Sequence, residues 1–232
     1  MVFRSILLSS LLGLLLFSCN CKKDPDVPVG LSASEIKAGL RETIVIGSDS
    51  VISRLGHYQG FTAENLTQIP FPQQDSVLVS IMNQTEAGVA KMQELEYLMN
   101  RSAERSVKAL FPIIKQATDN WDITDPQKIL YGNPTDATRF FKMASYEMVY
   151  QNFHGIVAQE LQSSLATLRW NELVETYLKV PNTPAIQTQL DNYVTNKILE
   201  IIFNRLAQEE SYIRTIPKAQ VTPLLQRIYR FA

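Results

Sequence analysis

The sequence predicts an all-α fold: a single irregular helical bundle with one proline-stiffened strap over residues 57–72 and a disordered N-terminal tether. From about residue 31 onward, apolar residues recur at intervals of three and four, the period of a helix with one buried face. Runs that alternate apolar and polar residues, as strands do, are absent, and so is any repeat of fixed period. A domain of about 200 residues can bury roughly 70% of its unfolded surface, so its core can stabilise it without disulfides.

The first 18 residues are typical of a lipoprotein signal peptide. Arg4 is the one charge before an apolar run over residues 6–17, which is too short to span a bilayer that needs about 20 residues. Residues 16–19, Leu-Phe-Ser-Cys, resemble the bacterial lipobox, whose cysteine becomes the lipid-bearing first residue of the mature protein. We therefore expect lipid attachment at Cys19. The alternative is an ordinary secretory signal in which the cysteine is incidental.

Residues 19–30 contain charges, two prolines and a glycine without an apolar period, which predicts a flexible tether before a helical domain over residues 31–232. The residue after Cys19 is Asn20 rather than the aspartate that retains enteric lipoproteins in the inner membrane. The resemblance thus implies a lipid-anchored protein of the cell envelope, at the outer membrane, on either its periplasmic or its surface face. Cys21 is too close to Cys19 for a structural disulfide.

The charge balance limits the partners that we expect. The chain has 22 basic and 23 acidic side chains, and one of the basic ones is Arg4 in the leader. This near-neutral balance argues against nucleic acid as a partner, because nucleic-acid binding requires a basic face. The expected partners are the membrane, through the N-terminal lipid anchor, and an envelope protein or small ligand.

Helix boundaries can be predicted along the rest of the chain. Ser32 and Glu35 form a capping box for a first helix that stops at Gly56. The strap that follows contains prolines, which favour extended backbone, and its apolar side chains should pack on the bundle. We expect three of these side chains to be buried: Phe61, Ile69 and Phe71.

Later helices are predicted, in chain order, over residues 73–83, 86–117, 125–132, 134–154, 156–166, 168–179, 191–214 and from 222 onward. Pro112 lies inside the second of these and predicts a kink near residues 108–110, because proline removes one hydrogen bond and clashes with the preceding turn. A break is predicted at His154-Gly155.

Several short motifs follow one another along the chain: NRSAE at 100–104, ILYG at 129–132, DATRFF at 136–141, DNYV at 191–194, EE and IR within 209–214, and TPLL at 222–225. Together with the opening stretch at 31–40, this order resembles the uncharacterised, all-helical bacterial family known as domain of unknown function 4197, here as a lipoprotein member. The resemblance covers about residues 31–230. It implies the helical fold and no particular activity.

Motifs for catalysis, metals and cofactors are missing. His57 and His154 are far apart, and neither belongs to a Glu-x-x-His or His-Glu-x-x-His motif. The glycines form no phosphate-binding loop, and there is no Gly-x-Ser-x-Gly elbow. Cys21 lies in the tether, without the preorganised base that a thiol nucleophile needs. We expect no metal and no cofactor, and the sequence favours a protein without enzymatic activity.

A set of charged and polar residues falls on or beside apolar helix faces, and these residues are the candidate site: Glu96, Asn100, Glu104, Arg139, Arg205, Glu209 and Arg214. The first three are expected to face another helix, and Arg205 and Glu209 to point inward. Since an unpaired buried charge costs several kcal/mol, each carboxylate needs a partner, and the three arginines are the nearest candidates. The set is either an internal ion-pair network or a polar pocket that binds a ligand.

The function predicted from these observations is that of a non-enzymatic cell-envelope lipoprotein, a helical module at the membrane that binds a partner protein, a lipid or a small ligand. The alternative is an envelope hydrolase with paired carboxylates in a polar pocket between helices. In that case Glu104 or Glu209 would act as acid and base, and Arg205 or Arg214 would stabilise an anion. A solvent-open cleft with two carboxylates would favour the hydrolase, and a closed, dry network would not.

Overall fold

The computed structural model describes residues 30–64 and 67–230, and within these ranges it contains helices and no β-strand. The all-α prediction is therefore confirmed. Leu31–Ala232 forms one compact unit. The signal peptide, Cys19 and all of the tether before Gly30 lie outside the described residues.

Helix α1 (Ala33–Leu55) begins at the predicted capping box. The hydroxyl of Ser32 accepts the N–H of Glu35 at 3.2 Å, and the carboxylate of Glu35 accepts the N–H of Ser32 at 3.0 Å. The helix ends at Gly56, as predicted.

The strap over residues 57–72 forms no helix in its described part. The side chains of Phe61, Ile69 and Phe71 are all buried, which confirms that the strap packs on the bundle. Phe71 packs against Trp170 with the ring centres 6.1 Å apart. Burying each such side chain contributes roughly 1.5–3 kcal/mol, which fixes the strap without regular structure. The short helix α2 (Ser76–Met82) follows.

The next helix is interrupted at the place where a kink is predicted. Helix α3 (Glu86–Ser106) passes through a 3-10 turn (Val107–Ala109) into α4 (Leu110–Asp119). Pro112 has no N–H to donate to the preceding turn, and a tighter 3-10 turn accommodates that loss. Helix α5 (Pro126–Leu130) is a short helix capped by the side chain of Asp125.

Helix α6 (Asp136–Ser163) runs without interruption through His154 and Gly155, so the predicted break there is wrong. Nothing lies within 4 Å of where a Gly155 side chain would be, and Phe153 and Val157 on either side of it are buried. The buried face is therefore continuous, and its packing outweighs the roughly 1 kcal/mol that a glycine costs a helix. The chain turns instead at Leu165, which has a left-handed backbone (φ 68°), before α7 (Ala166–Leu178).

Helix α8 (Leu190–Thr215) is the central element, and its most extensive contacts are with α6 and α1. Aromatic rings contribute to the interface with α6, where Phe141 and Phe203 have ring centres 6.2 Å apart. The last helix, α9 (Pro223–Tyr229), is capped by Thr222 and packs on α1. Across the described ranges, no helix is both long enough and apolar enough to cross a membrane.

Candidate functional site

The most deeply buried charge among the described residues that form ion pairs is Glu210 of α8, a residue that the sequence did not single out. Its two oxygens accept the N–H groups of Ala137 at 2.9 Å and Thr138 at 2.6 Å. These N–H groups lie in the first turn of α6, where the helix itself supplies no acceptor and where a negative charge is favoured. Glu210 therefore anchors α8 to the start of α6.

Arg214 neutralises this carboxylate at 2.8 Å. It also donates to the carbonyl oxygens of Leu130 at 2.8 Å and Ile129 at 3.1 Å, at the end of α5. Burial raises the pKa of Glu210, while Arg214 and the two N–H donors act to lower it. The pair is closed to solvent and connects α8 with α5 and α6.

Tyr229 of α9 extends this network. Its ring centre lies 5.4 Å from the guanidinium carbon of Arg214, and its hydroxyl is 2.7 Å from that of Thr43 on α1. Burial raises the pKa of Tyr229 to about 12. The side chains of Glu210, Arg214 and Tyr229 all make contacts between helices, so this network supports the fold.

Two of the predicted residues on α3 secure the strap. The side chain of Asn100 accepts the N–H of Ile69 at 2.9 Å and donates to the Ile69 carbonyl at 2.9 Å. Glu96 accepts the N–H of Phe71 at 3.2 Å and a second bond from the amide of Gln68. We expected these side chains to face another helix, and their hydrogen bonds to other segments are made to the strap. A buried strap outside regular structure has backbone groups to satisfy, and this face of α3 satisfies them.

Each candidate carboxylate has a partner, as expected, but in no case is that partner Arg139, Arg205 or Arg214. Glu104 is buried and pairs with Arg101 of its own helix. Arg139 pairs at 3.0 Å with Asp136, at the start of α6. Arg205 pairs with Glu64 of the strap. Glu104 and Arg139 each pair with a residue three positions away on the same helix, where the two side chains are neighbours.

Arg205 and Glu209 line a cleft between α1, the strap and α8, which we call the α1–α8 cleft. Its volume is about 510 Å³. The charged side chains on its wall are Arg54, Glu64, Arg205 and Glu209, and Val51, Leu55 and Ala63 provide apolar surface. A side chain at Gly60 would lie 2.3 Å from the Leu55 carbonyl oxygen, so glycine is what lets the strap close this side.

The four charges form two ion pairs with opposite arrangements. The side chain of Arg205 is 21% exposed and its partner Glu64 is 63% exposed. The side chain of Glu209 is 16% exposed and its partner Arg54, at 2.7 Å, is 60% exposed. Each pair thus has one member held in the cleft wall and one that approaches from solvent. The sequence identified Arg205 and Glu209 because they fall on the apolar face of a predicted helix. Glu64 and Arg54 do not stand out in any apolar period, so the sequence did not identify them.

Metal ligands are not gathered anywhere in the part of the chain that the structure describes, since no three His, Cys, Asp or Glu side chains lie together in a suitable arrangement. His154 lies 3.2 Å from Asp191, between α6 and α8. That contact joins two helices in the way the other inter-helix pairs do.

A family model described as "Protein of unknown function (DUF4197)" matches residues 30–230. Neither the curated proteins nor the solved structures include a match to this chain.

Proposed function

We propose a function from the geometry of the site, because the chain belongs to the DUF4197 family of proteins of unknown function, which supplies no activity. The proposed function is that of a non-enzymatic cell-envelope lipoprotein, attached to the outer membrane through lipid on Cys19, that binds a small ligand in the α1–α8 cleft. The observation that supports it most is the cleft itself. Its volume of about 510 Å³ is in the range of small-molecule sites, and it combines apolar surface with a few charged groups.

The hydrolase alternative draws support from two carboxylates, Glu64 and Glu209, that line one solvent-open cleft. Each of them is paired with an arginine, however. Two other residues were expected to act in a hydrolase, Glu104 and Arg214, and both form ion pairs inside the protein. Binding is therefore the better-supported proposal.

The test is the small-molecule content of protein purified from its native membranes. Mass spectrometry of the molecules released on denaturation should show a compound that is lost from Ala63→Trp, because an indole there would fill the cleft. Ala38→Trp is the matched control, since Ala38 is also exposed but lies at the other end of α1, roughly 20 Å away along the helix. If wild type, Ala63→Trp and Ala38→Trp release the same molecules in the same amounts, the cleft is not the binding site.

A further inference from the structure

We propose that the α1–α8 cleft takes a zwitterion, a dipeptide or similarly small peptide with a free carboxylate and a free ammonium group. Arg205 would receive the carboxylate and Glu209 the ammonium, while Glu64 and Arg54 occupy these two places when the ligand is absent. This inference rests on the proposed function, because it names the ligand class of the same cleft.

The two members of the Arg205–Glu64 pair are unequally buried. Arg205 is held in the wall of the cleft and also donates to the side chain of Gln208 at 3.1 Å, whereas Glu64 is mostly in solvent. The Glu64 carbonyl accepts the N–H and the hydroxyl of Thr67, at 3.0 and 2.9 Å. Neither of these bonds involves the ion pair with Arg205. A ligand carboxylate can replace Glu64 by a side-chain rotation alone.

In the Glu209–Arg54 pair the roles are reversed, because the carboxylate is the buried member and the arginine the exposed one. Glu209 is held in the wall by the ion pair with Arg54 and by the hydroxyl of Ser50, which donates to it at 3.1 Å. Arg54 is the exposed partner, and Ser50 also accepts a bond from it at 3.1 Å. A ligand ammonium that displaces Arg54 would find a carboxylate already oriented by Ser50.

Arg205 and Glu209, the two charged residues in the cleft wall, lie close together on α8. Arg205 and Glu209 are four residues apart on α8, so their Cβ atoms are neighbours about 6 Å apart. The terminal charges of an extended dipeptide are about 7 Å apart, so one such ligand is long enough to contact both side chains. The cleft has two positive and two negative side chains, so its net charge is zero. A ligand with one positive and one negative group suits this arrangement. Val51, Leu55 and Ala63 offer apolar surface to its side chains.

The experiment is a calorimetric titration of the full chain with L-alanyl-L-alanine, its N-acetyl derivative and its C-terminal amide. The free dipeptide should bind more tightly than either blocked form. Arg205→Gln should weaken dipeptide binding at least tenfold and should remove the preference for the free dipeptide over its amide. Glu64→Gln should instead strengthen binding, by roughly threefold to fivefold, because it removes an internal competitor held by an exposed ion pair. Lys197→Gln is the control, since it breaks an exposed ion pair elsewhere on α8 and should change nothing.

Three outcomes would overturn the inference: equal binding of free and blocked dipeptides, no effect of Arg205→Gln, or weaker binding in Glu64→Gln. Failure of the dipeptide to bind at millimolar concentration would also overturn it. If a released molecule is nonetheless lost only from Ala63→Trp, the proposed function stands and the zwitterionic class alone is wrong.

Discussion

The carboxylate of Glu210 lies 2.8 Å from the guanidinium of Arg214, one turn further along α8, and both groups are sealed inside the bundle. The adjacent residue, Glu209, points into a solvent-open cleft instead. Two neighbouring glutamates thus have different surroundings, one closed and structural, the other accessible. This contrast can be tested position by position.

Glu210→Ala should lower the free energy of unfolding by about 3–5 kcal/mol, because it leaves Arg214 buried without its counter-charge and two N–H groups of α6 without an acceptor. Glu209→Ala is the matched control and should cost about 1 kcal/mol or less, since its partner Arg54 is largely in solvent. Urea unfolding monitored by circular dichroism measures both. An equal loss of unfolding free energy in the two variants would show that Glu210 does not stabilise the fold more than Glu209 does.

Asn100→Ala should destabilise the protein by about 1–3 kcal/mol and loosen the strap, because the N–H and carbonyl of Ile69 lose their partner in a buried place. Asn152→Ala on α6 removes an exposed side-chain bond and should change stability by no more than about 0.5 kcal/mol. Amide hydrogen exchange at Ile69 gives the local readout. Unchanged protection there in Asn100→Ala would mean that α3 does not hold the strap.

Helix positions followed from the sequence because apolar period, capping residues and prolines are local signals. The interruption before Pro112 is one example, since the lost hydrogen bond is a property of proline itself. The break expected at Gly155 failed because the cost of a glycine is small beside the packing of a 28-residue helix. The left-handed turn at Leu165 could not be predicted, because leucine carries no preference for that backbone conformation.

The candidate site was only partly predictable, for a geometric reason. The apolar arc of α8 indicates which side faces the protein, but not which neighbour covers each edge of that arc. The start of α6 covers Glu210, whereas the cleft lies against Glu209. A single helical period cannot separate these two positions, which are only about 100° apart on the helix.

Stability should depend on pH through Asp136 at the start of α6. Burial by itself raises the pKa of this carboxyl, but bonds from Arg139 and from the N–H of Asn133 outweigh it and hold the pKa below the ordinary 3.8. The folded state therefore favours the ionised form, and its contribution is present above pH 3.8 and lost as the pH falls below it.

The stability lost in Asp136→Asn relative to wild type should accordingly be largest above about pH 5 and shrink in more acidic solution. Thermal unfolding of the two proteins across this pH range measures the difference. Asp119→Asn, which breaks an exposed ion pair with Lys115, serves as the control. A stability difference that stays constant with pH would argue against an ionised, stabilising Asp136.

Lipid attachment is tested by Cys19→Ser, which removes the thioether site while leaving the domain intact. The proposed anchor predicts that the wild-type protein sediments with outer membranes, because several acyl chains, at about 0.8 kcal/mol per buried CH₂, would hold it there essentially permanently. The variant should appear in the soluble envelope fraction. Cys21→Ser, two residues away, is the control and should remain with the membrane. A Cys19→Ser protein that still sediments after a high-salt wash would contradict the anchor.

The most direct test of the central claim, that Arg205 belongs to a binding cleft rather than to the support of the fold, is the unfolding free energy of Arg205→Met. Arg205 pairs with a glutamate that is mostly in solvent, so the variant should lose about 1 kcal/mol or less while losing the molecule bound in the cleft. A loss of about 3–5 kcal/mol, the cost of breaking a buried ion pair, would place Arg205 among the structural charges and contradict the claim.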